Sequence, residues 1–226
     1  MAKATAPETQ ALFQCLNAAL PQTQCTRCGY PDCASYAMAM AQGQAAINQC
    51  PPGGQEGIAR LAQITGQPVL PLNPENGTEG PRQMAIIDEA WCIGCTLCIK
   101  ACPTDAILGA NKAMHTVIEP WCTGCELCIP VCPVDCISLE PISEHTGWDA
   151  WPQAMADTAL ARYTQRTARL QREATALDQQ LTAKAEHKLS DMAAASKHTD
   201  PKILDQKRAT IQAALERAKT RRDQER

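Results

Sequence analysis

The sequence has few aromatic residues and no long apolar segment. Among its 226 residues are one Phe, three Tyr and four Trp. Large aromatic side chains therefore supply little of a hydrophobic core, and something else must hold part of the chain together. No run reaches the roughly 18 uninterrupted apolar residues that a membrane span needs, and no apolar stretch of signal-peptide length follows Met1. These absences predict a soluble protein of the reducing cytosol.

Cysteine is abundant where aromatic residues are scarce. The chain contains fourteen cysteines. In a secreted protein they would indicate a disulfide framework, but grouped thiols in a reducing compartment indicate metal binding. The groups and their spacing therefore decide the interpretation of this chain.

Residues 84–142 contain an internal repeat with an offset of thirty residues. Trp91-Cys-Ile-Gly-Cys-Thr-Leu-Cys-Ile-Lys-Ala-Cys-Pro103 aligns with Trp121-Cys-Thr-Gly-Cys-Glu-Leu-Cys-Ile-Pro-Val-Cys-Pro133. Both halves have the spacing in which three cysteines hold one four-iron cluster and the fourth holds the other. The spacing predicts two crossed ligand sets for two [4Fe–4S] clusters. They are Cys92, Cys95, Cys98 and Cys132 for one cluster, and Cys122, Cys125, Cys128 and Cys102 for the other.

Each half of the repeat is expected to form a short strand, a ligand loop, a short helix and a returning strand, related to the other half by a pseudo-twofold axis. Gly94 and Gly124 allow the backbone to approach each cluster. We expect Trp91 and Trp121, which precede the first ligands, to cover the clusters from water. No general base, nucleophile or substrate pocket is implied by these residues.

The N-terminal cysteines form a further set, Cys25, Cys28, Cys33 and Cys50, among stretches with helical pattern at 11–20, 34–46 and 55–64. Four thiolates on a small helical module fit a third [4Fe–4S] cluster, with structural zinc as the alternative.

The sequence around this set resembles the N-terminal cluster domain of the B subunit (RnfB/RsxB) of the Rnf/Rsx electron transport complex. The similar segments are Cys-x2-Cys-Gly-Tyr-x2-Cys-x2-Tyr-Ala and Ile-Asn-x-Cys-Pro-Pro-Gly-Gly. The resemblance covers residues 10–142, with all twelve ligand positions filled. It implies electron relay at the cytoplasmic face of a membrane complex that couples soluble carriers to flavin subunits, or that keeps a redox-sensing transcription factor reduced. Members of that family begin with a hydrophobic membrane segment, which we expect this chain to lack.

The remaining cysteines and the histidines are interpreted as bystanders. Cys15 lies in a helical stretch, where a small buried thiol is expected. Cys136 aligns in the repeat with Ala106, so it is expected at a small packing position. His115 and His145 are isolated and are expected at the surface.

Residues 150–226 lack cysteine and favour a helix. A heptad seam predicts a packed helix, and a break at 196–201 separates it from a second helix. Asp200 can cap this second helix and Pro201 can take its first position, so an antiparallel hairpin is expected; a solvated helix is the alternative. The seam comprises Ala156, Leu160, Tyr163, Thr167, Leu170, Ala174, Leu177 and Leu181, and continues in Leu204, Ile211, Leu215 and Ala218.

The formal charge of −3 is unevenly distributed. Residues 1–152 carry 6 Lys and Arg against 14 Asp and Glu, a net −8, whereas residues 153–226 carry 15 against 10, a net +5. The two parts are expected to meet different partners, and the basic tail is expected to dock the chain to an acidic surface or a partner. Because a +5 excess with one Tyr is a weak nucleic-acid signal, nucleic acid is not an expected partner.

The sequence thus predicts an α+β protein with a helical single-cluster domain (8–66), a linker (67–83), a double-cluster ferredoxin domain (84–142) and a helical tail (150–226). Its expected function is low-potential, one-electron transfer to flavin or iron–sulfur partner subunits, as a component of an oxidoreductase complex and not as a stand-alone catalyst. We expect it in the cytoplasm, held at the cytoplasmic face of the inner membrane by a partner. The alternatives are an electron-delivery subunit of an unrelated oxidoreductase, or a protein with structural clusters that binds a partner through its tail.

Three four-iron clusters predict that anaerobically purified protein binds about twelve irons and about twelve inorganic sulfides per chain. Iron, acid-labile sulfide and zinc analyses measure this. About eight irons with about one zinc would contradict the N-terminal cluster.

Overall fold

The computed structural model describes residues 6–224, except for the side chains of residues 193 and 195. Contacts divide the chain into two compact units after Arg166. The division falls later in the chain than residue 150, where the tail is predicted to begin. The first unit contains all fourteen cysteines.

Helices form the N-terminal part of the first unit. Asp32 caps one of them, since its side chain accepts a hydrogen bond from the Ser35 amide at 2.6 Å. That helix ends before the predicted residue 46, because the chain turns at Gly43, where φ is +70°. The three helices are α1 (Ala6–Ala18), α2 (Cys33–Ala41) and α3 (Gly54–Thr65).

Apolar side chains of these helices and their loops form the first hydrophobic core. The largest fully buried members are Leu16, Leu20, Tyr36, Ile47, Ile58 and Leu61. The expectation for Cys15 is wrong: helix α1 turns Leu16 into this core and leaves the neighbouring Cys15 exposed. The helical pattern of 11–20 identifies the helix but does not fix which of two adjacent residues faces inward.

The predicted linker is tied to the N-terminal helices by hydrogen bonds. The Asn73 amide donates to the Asn48 carbonyl at 2.9 Å, and the Asn48 side chain donates to the Pro71 carbonyl at 2.8 Å. Glu79 accepts from the Gln55 amide at 3.0 Å. Segment 67–80 is therefore packed against the module that precedes it, although its composition is that of a loop.

Two small antiparallel sheets form the second half of the unit. Strands β1 (Pro81–Ile87) and β4 (Ile137–Thr146) pair with Ala85 opposite Leu139, and the register shifts near the start of β1. Strands β2 (Ile107–Leu108) and β3 (Thr116–Val117) pair with Ile107 opposite Val117. Burial alternates along β1, with Ala85 and Ile87 facing inward. These two residues belong to a second hydrophobic core, which is separate from the core of the N-terminal helices. The fold is therefore mixed helix and sheet.

Left-handed backbone conformations recur at the thirty-residue offset. Gly94 and Gly124 have φ of +68° and +64°, and Thr96 and Glu126 have φ of +63° and +66°. The loops that carry the cysteines therefore follow the same course at these positions. Because a left-handed residue with a side chain is uncommon, its recurrence shows that each loop is held by its surroundings.

The expected short helix is present only in the first half of the repeat, as α4 (Leu97–Ala101). In α4 the Lys100 amide donates to the Thr96 carbonyl at 3.2 Å. The corresponding residue of the second half is Pro130, which has no amide hydrogen to donate. The second half therefore forms turns where the first forms a helix.

A tryptophan-rich seam closes the first unit. Trp148 on α5 (Gly147–Ala150) and Trp151 are 5% exposed and pack with Ala156 and Ala159 at the start of α6 (Gln153–Ser190). The Trp151 indole donates to the Pro21 carbonyl at 2.8 Å. The Arg82 guanidinium lies 4.7 Å from the centre of the same ring. The seam thus joins the N-terminal helices to the strand that opens the second half of the unit.

In the second unit, α6 continues beyond residue 166 and is followed by α7 (Met192–Ala195) and α8 (Pro201–Gln224). The Lys202 amide donates to Asp200 at 2.8 Å, which caps α8 as predicted. Asp178 on α6 pairs with Arg221 and Arg222 near the end of α8, at 3.7 and 3.4 Å, so the helices run antiparallel. The hairpin is therefore formed, although its seam is open: Leu177 and Leu181 are both 56% exposed. No helix among residues 6–224 combines the length and hydropathy needed to cross a membrane.

Replacing Trp151 by Ala should cost about 3–5 kcal/mol of unfolding free energy, because it removes a buried indole, its hydrogen bond and its contact with Arg82. Leu177→Ala is the matched control in the exposed seam, where the change should stay within about 0.5 kcal/mol. Urea unfolding of both variants measures the difference. Equal costs would show that the tryptophan seam does not stabilise the first unit.

Candidate metal centres

Four cysteines drawn from both halves of the repeat line one small cavity, here named the Cys102 cavity. Its thiols belong to Cys102, Cys122, Cys125 and Cys128. Cys102 therefore lies with three cysteines that follow it by twenty residues or more, and not with its sequence neighbours. The remaining wall includes Ala85, Thr104, Ala106 and Thr123.

A second cavity, named the Cys98 cavity, is lined by the complementary group. Its thiols belong to Cys92, Cys95, Cys98 and Cys132, with Cys136 and His115 completing the polar part of the wall. The structure thus brings cysteines of both halves together in each cavity. The crossed assignment of these cysteines as cluster ligands stays a prediction.

Glycines let the loops turn tightly around both cavities. A Cβ atom added to Gly94 would lie 2.6 Å from the backbone N and O of Ala113, and one added to Gly124 would lie 2.5 Å from the Gln83 carbonyl oxygen. Both glycines have positive φ, so a side chain would meet conformational strain as well as collision. The loops can therefore lie this close to the neighbouring backbone only with glycine at these two positions.

The N-terminal cysteines form a third group, named the N-terminal set: Cys25, Cys28, Cys33 and Cys50 interact electrostatically with one another. Helix α2 begins at Cys33, whose amide donates to the buried Gln24 side chain at 2.9 Å. Tyr36 holds the loop before Cys50, since its hydroxyl donates to the Ala46 carbonyl at 2.7 Å and accepts from the Gln49 amide at 3.2 Å.

Burial makes these thiols poor acids in the absence of metal. It raises the pKa of Cys33, Cys125 and Cys128 to about 12 and that of Cys50 well above the usual value. All fourteen cysteines are free thiols. A buried thiolate is stable only when its charge is compensated, and coordination to metal does this directly. The four sulfurs that line each of the two cavities, and the four of the N-terminal set, therefore supply the donor chemistry that iron–sulfur clusters require.

Within residues 6–224, no group of three or more Cys, His, Asp or Glu side chains closes to the geometry of a site for a single metal ion. The four thiols of the Cys102 cavity and the four of the Cys98 cavity instead each line a shared cavity.

Cys136 occupies a buried position, as expected from its alignment with Ala106, and it touches a member of the Cys98 cavity. Its sulfur lies 3.5 Å from that of Cys132, and its amide donates to the same sulfur at 3.4 Å. For Cys132, burial alone would raise the pKa, but hydrogen bonds from amide groups and from the Cys136 thiol outweigh burial, so the net pKa is lowered. For Cys136, burial is the main reason that the pKa rises to about 12.

The expectation for His115 is wrong. Its side chain is only 1% exposed, and its Nδ1 lies 3.3 Å from the Cys98 sulfur. His145 is exposed, as expected. The signal for His115 was present in the repeat, because residue 115 aligns with Ala85 on the inner face of β1, and a strand-flanking residue in that register faces the core.

The two tryptophans that precede the ligand loops differ. Trp91 is 69% exposed, so the expectation that it covers a cluster is wrong. Trp121 is half-buried, and the Arg162 guanidinium stacks 3.4 Å from its ring centre while donating to the Thr104 carbonyl at 2.7 Å. Arg162 on α6 therefore covers Trp121 and the ligand loop that follows it. Trp91 gives no such cover to the ligand loop of the first half.

The N-terminal set adjoins the Cys102 cavity. The Thr123 hydroxyl, in the wall of that cavity, donates to the Thr23 carbonyl at 2.9 Å, two residues before Cys25. Arg27, which lies between Cys25 and Cys28, forms an ion pair with Glu126. The two cysteine loops therefore meet directly, a juxtaposition that no sequence pattern indicated.

Comparisons with known proteins find iron–sulfur family models and named relatives that match this chain. A family model described as "4Fe-4S dicluster domain" matches residues 85–139, and one described as "Putative Fe-S cluster" matches residues 20–52. Three relatives are each named as the B subunit of an ion-translocating oxidoreductase complex. The protein of Azoarcus sp. (strain BH72) is 59% identical over 154 residues, which are 68% of this chain and 84% of the relative.

The protein of Thiobacillus denitrificans is 58% identical over 144 residues, or 62% of this chain and 77% of the relative. That of Alkalilimnicola ehrlichii is 55% identical over 146 residues, or 64% and 78%. With these identities over most of each relative, and with cysteine groups suited to iron–sulfur clusters, the chain belongs to the B-subunit family of the ion-translocating oxidoreductase complex.

Proposed function

We propose that this chain relays single electrons through three [4Fe–4S] clusters within an ion-translocating oxidoreductase complex. The observation that carries the proposal is the grouping of twelve cysteines into three sets of four, two of which line separate cavities. The ligands are Cys92, Cys95, Cys98 and Cys132 for one cluster, Cys102, Cys122, Cys125 and Cys128 for the second, and Cys25, Cys28, Cys33 and Cys50 for the third.

When bound, such a cluster gains or loses one electron without breaking a covalent bond. The chain supplies the sulfurs, excludes water and donates hydrogen bonds. The Ala106 amide donates to the Cys102 sulfur at 3.2 Å, and the Cys136 amide donates to the Cys132 sulfur at 3.4 Å. These amides face the fourth ligand of each set, where they favour added negative charge.

The contacts between the cysteine loops support a linear path. Thr123 and Thr23 join the wall of the Cys102 cavity to the loop of the N-terminal set. The Cys102 and Cys98 cavities lie in one hydrophobic core, which Cys98, Cys102, Cys122 and Cys128 share. We therefore propose that the cluster held by the Cys102 cavity would lie between the other two.

The relatives are named as subunits of a complex, which supports partner proteins and not a small-molecule substrate as the source and destination of electrons. We propose flavin or iron–sulfur subunits as these partners, at the cytoplasmic face of the membrane. The second unit is suited to docking, since its exposed Leu170, Leu177 and Leu181 lie on a helix that also carries basic side chains.

The function predicts that the anaerobic protein is reduced reversibly, one electron per cluster, and that the reduced form passes electrons rapidly to a flavin subunit of the complex. A redox titration monitored by electron paramagnetic resonance, followed by rapid mixing, measures both. Clusters that resist reduction but are needed for folding would contradict a carrier and indicate a structural role.

The crossed ligand sets predict the result of two cysteine replacements. Cys102→Ala should damage the cluster held by Cys122, Cys125 and Cys128, whereas Cys136→Ala should leave the iron content unchanged, because Ala fills the corresponding position of the first half. Iron analysis and the spectrum of each cluster test this. Loss confined to the cluster of Cys92, Cys95 and Cys98 in the Cys102→Ala variant would show that the sets are not crossed.

A further inference from the structure

Two buried polar side chains lie against ligand sulfurs in the Cys98 cavity. His115 Nδ1 is 3.3 Å from the Cys98 sulfur, and Cys136 Sγ is 3.5 Å from the Cys132 sulfur. Both side chains line the cavity itself. Neither belongs to a set of four ligands, so the proposed function leaves their purpose open.

The chemistry of the ligands fixes the direction of both hydrogen bonds. A thiolate bound to iron carries no hydrogen and can only accept. His115 must then carry its hydrogen on Nδ1, and the Cys136 thiol must donate its own. The other ring nitrogen, Nε2, is buried without a partner among the described residues, which suits the bare nitrogen of this neutral tautomer better than an N–H group.

The corresponding positions around the Cys102 cavity are apolar. By the thirty-residue repeat, His115 corresponds to Ala85 and Cys136 corresponds to Ala106. Both alanines line the Cys102 cavity, as their counterparts line the Cys98 cavity. An alanine side chain has no polar hydrogen. At these two matched positions the Cys98 cavity therefore has side-chain hydrogen-bond donors to ligand sulfurs, and the Cys102 cavity has none.

Two hydroxyl groups in the wall of the Cys102 cavity do not make up for the two missing side-chain donors. The Thr104 hydroxyl donates its single hydrogen to the Trp121 carbonyl at 2.8 Å, a full ångström closer than its 3.8 Å distance to the Cys102 sulfur. The Thr123 hydroxyl, which also lies beside the Cys125 sulfur, donates to the Thr23 carbonyl at 2.9 Å. Each hydroxyl has a single hydrogen, and a backbone carbonyl accepts it, so neither hydroxyl has a second hydrogen for a ligand sulfur.

We propose that His115 and Cys136 are positioning residues that raise the reduction potential in the Cys98 cavity above that in the Cys102 cavity and so direct electrons toward it. The inference rests on the proposed function. Reduction adds one negative charge, and a donor to a ligand sulfur stabilises the more negative state. With clusters held in both cavities, one electron would pass from the Cys102 cavity to the Cys98 cavity, with no proton transferred and no bond broken.

Gly109 supplies the space that the imidazole needs. A Cβ atom at Gly109 would lie 2.9 Å from His115 Cγ and would also collide with the ring edge. Because the backbone of Gly109 is outside the left-handed region, an alanine there would meet the ring and not conformational strain. Gly109→Ala therefore displaces the donor while leaving every ligand and His115 itself unchanged in sequence.

The test is a redox titration of the three-cluster protein, with each midpoint potential followed by electron paramagnetic resonance. In His115→Phe, which keeps an aromatic ring without a donor, one midpoint should fall by about 59 mV, a tenfold change in the one-electron equilibrium constant. The same midpoint should fall in Cys136→Ala and in Gly109→Ala. His115→Asn, which keeps a donor, should restore most of the loss.

The chain offers two matched controls. Replacing the exposed His145 by Ala should move no midpoint. The reciprocal change Ala106→Cys places a thiol beside Cys102 and should raise a different midpoint from the one that falls in His115→Phe. Midpoints that stay fixed in His115→Phe, or that all shift together, would overturn the proposal.

Failure of the proposed function has a separate signature. It would be visible in the unsubstituted chain, as a lower iron content or as clusters that are not reduced reversibly. Failure of this inference would leave the unsubstituted titration intact and only the effect of the variants missing.

Discussion

The rest of the first unit depends on one constraint, which is that the negative charge of buried cysteine thiolates must be compensated. Twelve thiols lie in three sets inside a chain with little aromatic core, and burial opposes their ionisation. The loops around them adopt left-handed backbone conformations at Thr96 and Glu126, which cost free energy and persist only if the surroundings hold them. Coordination to metal would supply that stabilisation, which makes folding of the loops and binding of their cofactor one process.

Around this constraint, arginine and tryptophan side chains hold the parts together. Arg82 stacks on Trp151 and Arg60 lies 3.9 Å from the ring centre of Trp148, both between segments far apart in sequence. Because a guanidinium can stack and donate hydrogen bonds at the same time, it bridges an apolar seam to nearby carbonyls. A chain with only four tryptophans thus places two of them where the cysteine-bearing halves meet the first turns of α6.

The sequence predicts well what depends on spacing and poorly what depends on packing. The cysteine spacing predicts an iron–sulfur protein and a mixed fold, and Asp200 predicts the start of α8. It does not predict which residues face inward. Cys15 is exposed against expectation, because contacts with residues distant in sequence decide which face of α1 is buried. His115 is buried against expectation, although its alignment with Ala85 in the repeat indicated an inward position. The missing second helix follows from Pro130, a local signal that a residue-by-residue comparison of the repeat could have used. The ligand sets stay a prediction that metal analysis tests.

The hydrogen-bonded course of segment 67–80 has a consequence for kinetics. Asn48 and Gln55 hold this segment from the side of the N-terminal helices, and Glu79 also accepts from Thr146 at 2.7 Å on the other side. The two cysteine-bearing parts are thus held together at several points, so the proposed electron transfer between their sites would need no domain movement. Higher solvent viscosity would then slow the encounter of the chain with a partner protein, but it would not change the rate of this proposed internal transfer.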